Sequence, residues 1–595
     1  WTDAHELPTD FPRIRTSTRP SQRAVPVVGP VVIIGVLVLM LAFGRISRRD
    51  PGLTEKQARY LQDVEHLGGF VLGDLCLPKL AKAIAEDDAD GLSAAFTEIA
   101  GAWIPPRIDR MVSRNPGAVT VTSWQRVKQK REEVVDGEEL VTWLRDQRHR
   151  FASIDAVRLK VKRMQPETAG QLDGPWNGTL QLNISGQAAE GRPRSTTFEL
   201  SCRLGSLDDQ LPERDNWFLE LVVDRADITE SSRLLMEEMT AETGIDVARL
   251  HDNWRDISGP QTPALTGGIY LADYDGDRHV DCLVTDISGP VLYRGTGDGR
   301  FQDVTELVGL PKSFNELPAA WGDFDNDGDP DLVLGRRFYR NDPAETDDTT
   351  SRLFQQMAGL DTGLELEDAV GYAVADVDLD GRLDLYVVGI GERSAGQKWI
   401  GKNNTNRNQL WHNDGELRFT DITASSGTAG RGTSTFAAVF FDANNDGHPD
   451  LMTACEFGKN DFWLGRGDGT FEPAPLPEVY GGFSMGLTVG DINNDGFADP
   501  YLANMYSKAG ERVVANLPPD VYAPDVDAQL RDFVAGSDLY RNTGGKGFQR
   551  IGRMAGVADV GWAYGPAYVD LDNDGRLDLY APCGFQSVTR KRPDG

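Results

Sequence analysis

Cysteine and histidine are both scarce in this chain of 595 residues, which has five of the first and seven of the second. Five thiols in so long a chain do not make a disulfide scaffold. Cys455 and Cys583 each lie five residues beyond the last Asp of an acidic segment, at equivalent places two segments apart. Equivalent places on non-neighbouring repeats do not meet, so the cysteines read as buried free thiols. There is no His-Glu-x-x-His motif and no Cys/His cluster, and His66 and His251 have no visible partners; this argues against a zinc hydrolase. Positive charge is also short. Lys and Arg total 61 against 92 Asp and Glu, a formal net charge of −31, which disfavours nucleic-acid binding and adhesion to anionic membranes. "GFSMG" (482–486) has the form of a nucleophile elbow but leads into an acidic loop instead of a strand–turn–helix, so Ser484 reads as packed in a strand. "RGD" (466–468) belongs to a hairpin whose counterpart elsewhere reads "TGD".

Residues 25–44, "VPVVGPVVIIGVLVLMLAFG", follow a basic tail (1–24) and carry no charge over a length that spans a hydrocarbon core. They read as a transmembrane anchor, with a cleaved signal segment as the alternative. Arginines on both sides leave orientation unset. Either reading places the rest outside the cytoplasm, membrane-anchored at the cell surface or in the periplasm, or secreted if the segment is cleaved. Residues 45–250 read as a small α+β domain. Apolar residues recur at threes and fours over 53–113, and from about 155 four segments alternate with period two: "AVRLKVKRM", "GTLQLNISG", "TTFELSCRL" and "WFLELVVDRA". Helices followed by antiparallel strands suggest helices packed on one sheet face, an order that resembles the nuclear-transport-factor-like folds. The basic stretch 126–135 reads as a solvated helix face.

Residues 251–595 are a repeat array. Six acidic loops begin at 273, 323, 376, 442, 491 and 570: "DYDGDRHVD", "DFDNDGDPD", "DVDLDGRLD", "DANNDGHPD", "DINNDGFAD" and "DLDNDGRLD". A small-residue apolar run precedes each loop and a strand follows it. Most units then add a strand–hairpin–strand signature such as "LYRGTGDGRFQDVT" or "LYRNTGGKGFQRI". Four short strands per unit at this spacing predict the blades of a mainly β, six- or seven-bladed propeller.

Oxygen side chains fall at loop positions 1, 3, 5 and 9: Asp273, Asp275, Asp277 and Asp281; Asp323, Asp325, Asp327 and Asp331; Asp376, Asp378, Asp380 and Asp384; Asp442, Asn444, Asp446 and Asp450; Asp491, Asn493, Asp495 and Asp499; Asp570, Asp572, Asp574 and Asp578. Alternate oxygens in a tight loop converge on one point, as a hard cation requires, and a flexible all-protein cage favours Ca2+ over Mg2+. Up to six calcium ions are expected. Gly at position 6 of five loops permits the turn around the ion. Arg278 replaces it in loop one and adds positive charge, while Asn444 and Asn493 lower the negative charge of loops four and five. Position 12 never carries the Glu of an EF-hand.

The "DxDxDGxxD" loop between a small-residue strand and an "LYRN-x-GDG-x-F-x-DVT" segment resembles FG-GAP/VCBS repeats. It is similar to those of integrin α-subunit heads and of the ASPIC/UnbV, cartilage-acidic-protein-like group. The resemblance covers about 264–595 and implies an extracytoplasmic, calcium-carrying propeller that binds partners; a protein or glycan binding or adhesion module is the expected role, with enzymatic activity left open. A polysaccharide lyase or hydrolase on the same scaffold is the alternative. No ASPIC-type C-terminal domain is visible, and the sixth unit's last two strands are not present before Gly595; either the segment around 240–262 closes the ring or the natural protein continues. Long insertions at 391–409 and 506–536 bring Lys398, Trp399, Lys402, Arg407, Tyr506, Lys508 and Arg512 to the face opposite the loops, an expected binding surface.

Overall fold

The computed structural model describes residues 53–96, 99–105, 112–114, 119–126, 134–251, 267–311, 317–344, 351–366, 369–389, 408–431, 434–456, 459–477, 482–506, 508–518 and 521–583. The apolar segment 25–44 and most of the insertion 391–409 lie outside them. Among the described residues no helix is long and apolar enough to cross a membrane.

Thr54 opens α1 (Glu55–Glu65) with a capping box: its hydroxyl accepts from Gln57 N at 3.3 Å, and Gln57 Oε1 accepts from Thr54 N at 2.9 Å. The chain continues through π-helical turns over His66–Cys76 into α2 (Leu77–Glu86) and α3 (Ala89–Phe96). A further helix, α4 (Gly137–His149), is capped by Asp136 and Glu139. These helices pack on a sheet of β1 (Gly101–Trp103), β2 (Val112–Arg114), β3 (Val119–Gln125), β4 (Ser153–Pro166), β5 (Trp176–Gln187), β6 (Pro193–Leu204) and β7 (Phe218–Ser231). Strand order is β2-β3-β7-β6-β5-β4, with β1 parallel to β7. The period-two alternation of the last four strands is realised: Leu180, Leu182 and Ile184 of β5 and Phe198, Leu200 and Leu204 of β6 share one core with Leu72, Leu80 and Leu144 from the helical side.

One expectation changes here and one element is new. Gly101–Trp103 lies in the stretch expected to be helical, but it is a strand because β7, some 120 residues away, pairs with it from Glu220 to Val222. The helix 137–149 carries a capping signal that periodicity did not single out. The basic stretch 126–135 lies mostly outside the described residues.

Five complete four-stranded antiparallel sheets follow. Unit one comprises Ile269–Ala272, Asp281–Val284, Val291–Gly295 and Phe301–Asp303; unit two, Ala319–Gly322, Asp331–Leu334, Arg337–Pro343 and Arg352–Met357. Unit three comprises Ala369–Ala375, Asp384–Gly389, Gln409–Gly415 and Arg418–Asp421; unit four, Thr435–Phe441, Asp450–Cys455, Asp461–Gly465 and Phe471–Pro473. Unit five comprises Ser484–Gly490, Asp499–Asn504, Asp538–Asn542 and Phe548–Arg550, and unit six shows Ala567–Val569 paired with Asp578–Tyr580. The first strand of every unit packs beside the first strand of the next. Cys76, Cys202, Cys282 and Cys455 are buried free thiols, as expected, but Cys583 is exposed. Among the described residues unit six has no third strand to cover it.

The insertion of unit five forms α5 (Lys508–Ala515) and α6 (Pro524–Phe533), and it docks on the N-terminal domain. Leu61 of α1 joins Phe483, Val513, Val514, Leu530 and Phe533 in one apolar cluster. Arg512 Nε donates to Glu65 Oε2 at 2.8 Å, and its Nη2 pairs with Oε1 of the same carboxylate. Asn516 Nδ2 donates to Met164 O at 3.0 Å, Arg163 pairs with Glu511 at 3.1 Å, and Lys162 pairs with Asp559. Arg512 is therefore buried in an internal interface, and Tyr506 is buried with its hydroxyl donating to Glu511 at 3.0 Å, which corrects their assignment to an open binding face.

Candidate metal centres

Each acidic loop joins the first strand of a unit to the second, and its own side chains hold its shape. Position-1 Oδ2 accepts from the position-6 N–H in all six loops, at 2.9, 3.0, 2.8, 2.8, 2.7 and 2.8 Å in chain order. Position-5 Oδ1 accepts from the position-7 N–H, as at Asp327 (3.0 Å) and Asp495 (3.0 Å). These local bonds substitute for a ladder while the chain reverses.

Two positions in each loop take left-handed backbone conformations. Position 6 does so at Gly328, Gly381, Gly447, Gly496 and Gly575, as its glycine implies, and Arg278 adopts the same conformation with φ +69°. The loop-one turn is thus preserved without glycine. Position 4 is left-handed as well, at Gly276, Asn326, Leu379, Asn445, Asn494 and Asn573. Asn tolerates that region better than other side chains, so its recurrence was the available signal for this second turn.

The asparagines at position 4 also join neighbouring loops. Asn326 Nδ2 donates to Gly381 O (2.9 Å), Asn445 Nδ2 to Gly496 O (2.9 Å) and Asn494 Nδ2 to Gly575 O (3.2 Å). A second staple comes from the third strands. Asn341, Asn413 and Asn542 donate through Nδ2 to Tyr274 O, Phe324 O and Ala443 O of the preceding loop, each at 2.8 Å. These asparagines stand in the "LYRN"-type signature, where their role was not read.

Position 9 is the pivot of every loop. Its Oδ2 accepts from the position-2 N–H, as Asp331 does from Phe324 at 3.1 Å. Its Oδ1 accepts from the third strand: Gly295 N, Asn341 N, Asn413 N, Gly465 N and Asn542 N, at 2.6–2.9 Å. Asp281, Asp331, Asp384, Asp450 and Asp499 are consequently buried, whereas Asp578 is exposed. Burial pushes the Asp331 carboxyl up to about 7 and those of Asp281, Asp384 and Asp450 up to about 6.

Carboxylate oxygens of Asp323, Asp325 and Asp327 lie within 4.8 Å of one another, as do those of Asp570, Asp572 and Asp574, of Asp376, Asp378 and Asp384, and of Asp273, Asp275 and Asp281. In loop three, Asp378 Oδ1 is buried without a hydrogen bond. The carboxylate clusters suit a hard divalent cation, although in loop three the His412 ring also joins Asp378 and Asp380, a nitrogen that the sequence spacing did not place there. In loops four and five, Asn444 and Asn493 contribute an amide oxygen in place of a carboxylate.

Other residues singled out in the sequence have structural roles. Ser484 is fully buried in a strand and its Oγ donates to Asn504 Oδ1 at 2.6 Å. In the "RGD" hairpin, Arg466 pairs with Glu472 at 2.9 Å and Asp468 accepts from Thr470 N at 3.0 Å. His66 does have a partner, Asp209, at 2.6 Å.

Four-stranded sheets entered through the same acidic loop and stapled to their neighbours define a β-rich repeat protein. The repeats are FG-GAP-like: residues 273–334, 376–453 and 442–501 match the FG-GAP-like repeat family, taking in loops one to five. No curated protein matches the chain in sequence. Among solved structures, a lectin of Agrocybe aegerita that recognises non-reducing terminal N-acetylglucosamine is 14% identical, with a TM-score of 0.30 over 68% of this chain and 85% of that one. The Vibrio cholerae biofilm matrix protein Bap1 is 13% identical, with a TM-score of 0.24 over 42% of this chain and 37% of that one. The Tc holotoxin pore of Photorhabdus luminescens is 15% identical, with a TM-score of 0.24 over 66% of this chain and 16% of that one. These scores are too low to establish a shared arrangement.

Proposed function

We propose that the repeat region is a calcium-stabilised β-propeller that serves as an extracytoplasmic binding or adhesion module for a protein or glycan, held at the membrane through residues 25–44. One observation carries this reading: the same acidic turn, closed by the same position-1 to position-6 bond, recurs between the first two strands of successive sheets whose first strands pack side by side. Radial packing of four-stranded sheets by their first strands is how propeller blades assemble. Asp323, Asp325, Asp327 and Asp331, with their equivalents in loops three to six, would hold the ions. Calcium supplies the charge compensation that the clustered carboxylates otherwise lack, so binding and folding are linked.

Calorimetric calcium titration of the full chain, with thermal unfolding in calcium and in chelator, tests the metal part. Several bound ions and a marked rise in melting temperature are expected; at a calcium concentration one hundred times Kd, each site contributes about 2.7 kcal/mol. No binding and no shift would end the calcium reading. Retention of the chain by immobilised glycans or proteins in calcium, and its loss in chelator, tests the binding role.

A further inference from the structure

In five units the third strand places one side chain beside the acidic loop of its own sheet: Arg294, Arg340, His412, Leu464 and Arg541, each immediately before the residue whose N–H bonds the position-9 Asp. These side chains treat their loops differently. Arg340 turns to Asp342 at 2.8 Å, Arg541 turns to Gln549, Leu464 carries no charge, and His412, a weaker and titratable cation, lies 3.0 Å from Asp378 and 3.8 Å from Asp380. Arg294 engages two loop carboxylates at once, with Nε 2.7 Å from Asp275 Oδ2 and Nη2 3.1 Å from Asp277 Oδ2.

The consequences are fullest in loop one, and loop three shares part of them, since its oxygen cluster also leaves out position 5 and Asp380 pairs with Arg382. Position 5 is exposed at Asp327, Asp380, Asp446, Asp495 and Asp574, but Asp277 is only half-exposed, and Asp275 is buried with 2% of its surface accessible. Asp277 spends its other oxygen on His279 N at 2.8 Å. Its carboxylate also stays out of the cluster formed by Asp273, Asp275 and Asp281, whereas loops two and six bring positions 1, 3 and 5 together. The position-5 N–H donates to Asp275 Oδ1 at 3.2 Å, whereas in loops two and three it donates to position 1. Asp273 Oδ1 and Asp275 Oδ2 are buried without a hydrogen bond, the second lying at ion-pair distance from Arg294 Nε.

We propose that Arg294 is a built-in counter-ion that occupies loop one, so that this loop holds its shape without a metal and the chain takes up cations only at the others. The guanidinium matches two carboxylates in a fixed fork and stays charged at every physiological pH. Arg278, the departure visible in the sequence, is not the closing residue: among the described residues its side chain forms no ion pair with the loop-one aspartates, and its backbone takes the ordinary turn. Arg294 is thus the residue that decides specificity at loop one. The inference rests on the calcium reading of the remaining loops.

The test is the number of calcium ions per chain after equilibrium dialysis of the full-length protein, measured for the wild type, Asp277→Asn, Asp327→Asn and Arg294→Ala. The expected pattern is no change for Asp277→Asn, loss of one ion for Asp327→Asn and gain of one for Arg294→Ala. Loss of an ion in Asp277→Asn would overturn the proposal while leaving the calcium reading intact, and this comparison does not depend on the Arg294 variant folding. A folded Arg294→Ala chain with an unchanged count would overturn it as well. If no variant, wild type included, binds any ion, the calcium reading fails and the inference falls with it.

Discussion

Glu65 and Arg512, 447 residues apart in the chain, form a buried bidentate ion pair that joins the N-terminal domain to the insertion of repeat unit five. Burial of both charges is tolerated because each neutralises the other, and Asn516 beside them satisfies the Met164 carbonyl. Removing one partner strands the other charge in the interface. Arg512→Ala is therefore expected to cost about 3–5 kcal/mol of interface stability. Differential scanning calorimetry should then resolve separate transitions for the two domains, and a single unshifted transition would refute the role.

Gly69 makes room for that pair. A Cβ built there would lie 2.3 Å from Glu65 Oε1 and 2.9 Å from Arg512 Nη2. Gly69→Ala should weaken docking in the wild type and do much less in an Arg512→Ala background, since the displaced contact is already gone. Additive effects in the double mutant would argue that Gly69 serves the helix alone.

Asn413 holds unit three to unit two. Its Nδ2 donates to Phe324 O at 2.8 Å and to Leu383 O at 3.2 Å, and it is fully buried. Asn413→Ala leaves a buried carbonyl unsatisfied, with an expected loss of about 1–3 kcal/mol. Chemical denaturation with intrinsic fluorescence measures it. Leu464→Ala in unit four, which touches no such staple, serves as a packing control.

The position-9 aspartates set a pH dependence in the absence of metal. Asp331 is pushed up to about 7 by burial, while an unfolded Asp titrates near 3.9. Between these values the folded chain binds more protons than the unfolded one, so stability is greatest below about pH 4 for this group and is lost as pH rises towards 7. The slope approaches 1.4 kcal/mol per pH unit in the middle of that window. In chelator, Asp331→Asn should show a flatter fall of melting temperature from pH 5 to 7. On the proposed calcium reading the trend should reverse in calcium, because a bound ion favours the ionised carboxylate and its uptake releases protons.

Loops four and five carry Asn444 and Asn493 where the other loops have Asp. Asn444→Asp or Asn493→Asp adds a charge to the donor set and should tighten one calcium site severalfold, read by calorimetry as a shift of one site out of the weak class. An unchanged isotherm for both would mean that charge at position 3 does not govern affinity.

The acidic loops were legible in the sequence because nearly everything that shapes them lies within nine residues. The position-1 carboxylate reaches the position-6 N–H, position 5 reaches position 7, and position 9 reaches position 2, all through bonds that short spacing alone makes available. The same locality made the four-stranded units and the alternating strands β4 to β7 readable. Tertiary structure decided what depends on distant partners. Gly101–Trp103 became a strand through pairing with β7, Arg512 left the surface for Glu65, and the third-strand asparagines found carbonyls in the preceding unit. Loop one shows the division most clearly. Its sequence announces a cation site with one flawed position, but Arg294, seventeen residues beyond Asp277, supplies the positive charge. A local pattern specifies a shape and a charge; which cation answers that charge is settled only when the sheet brings another strand alongside.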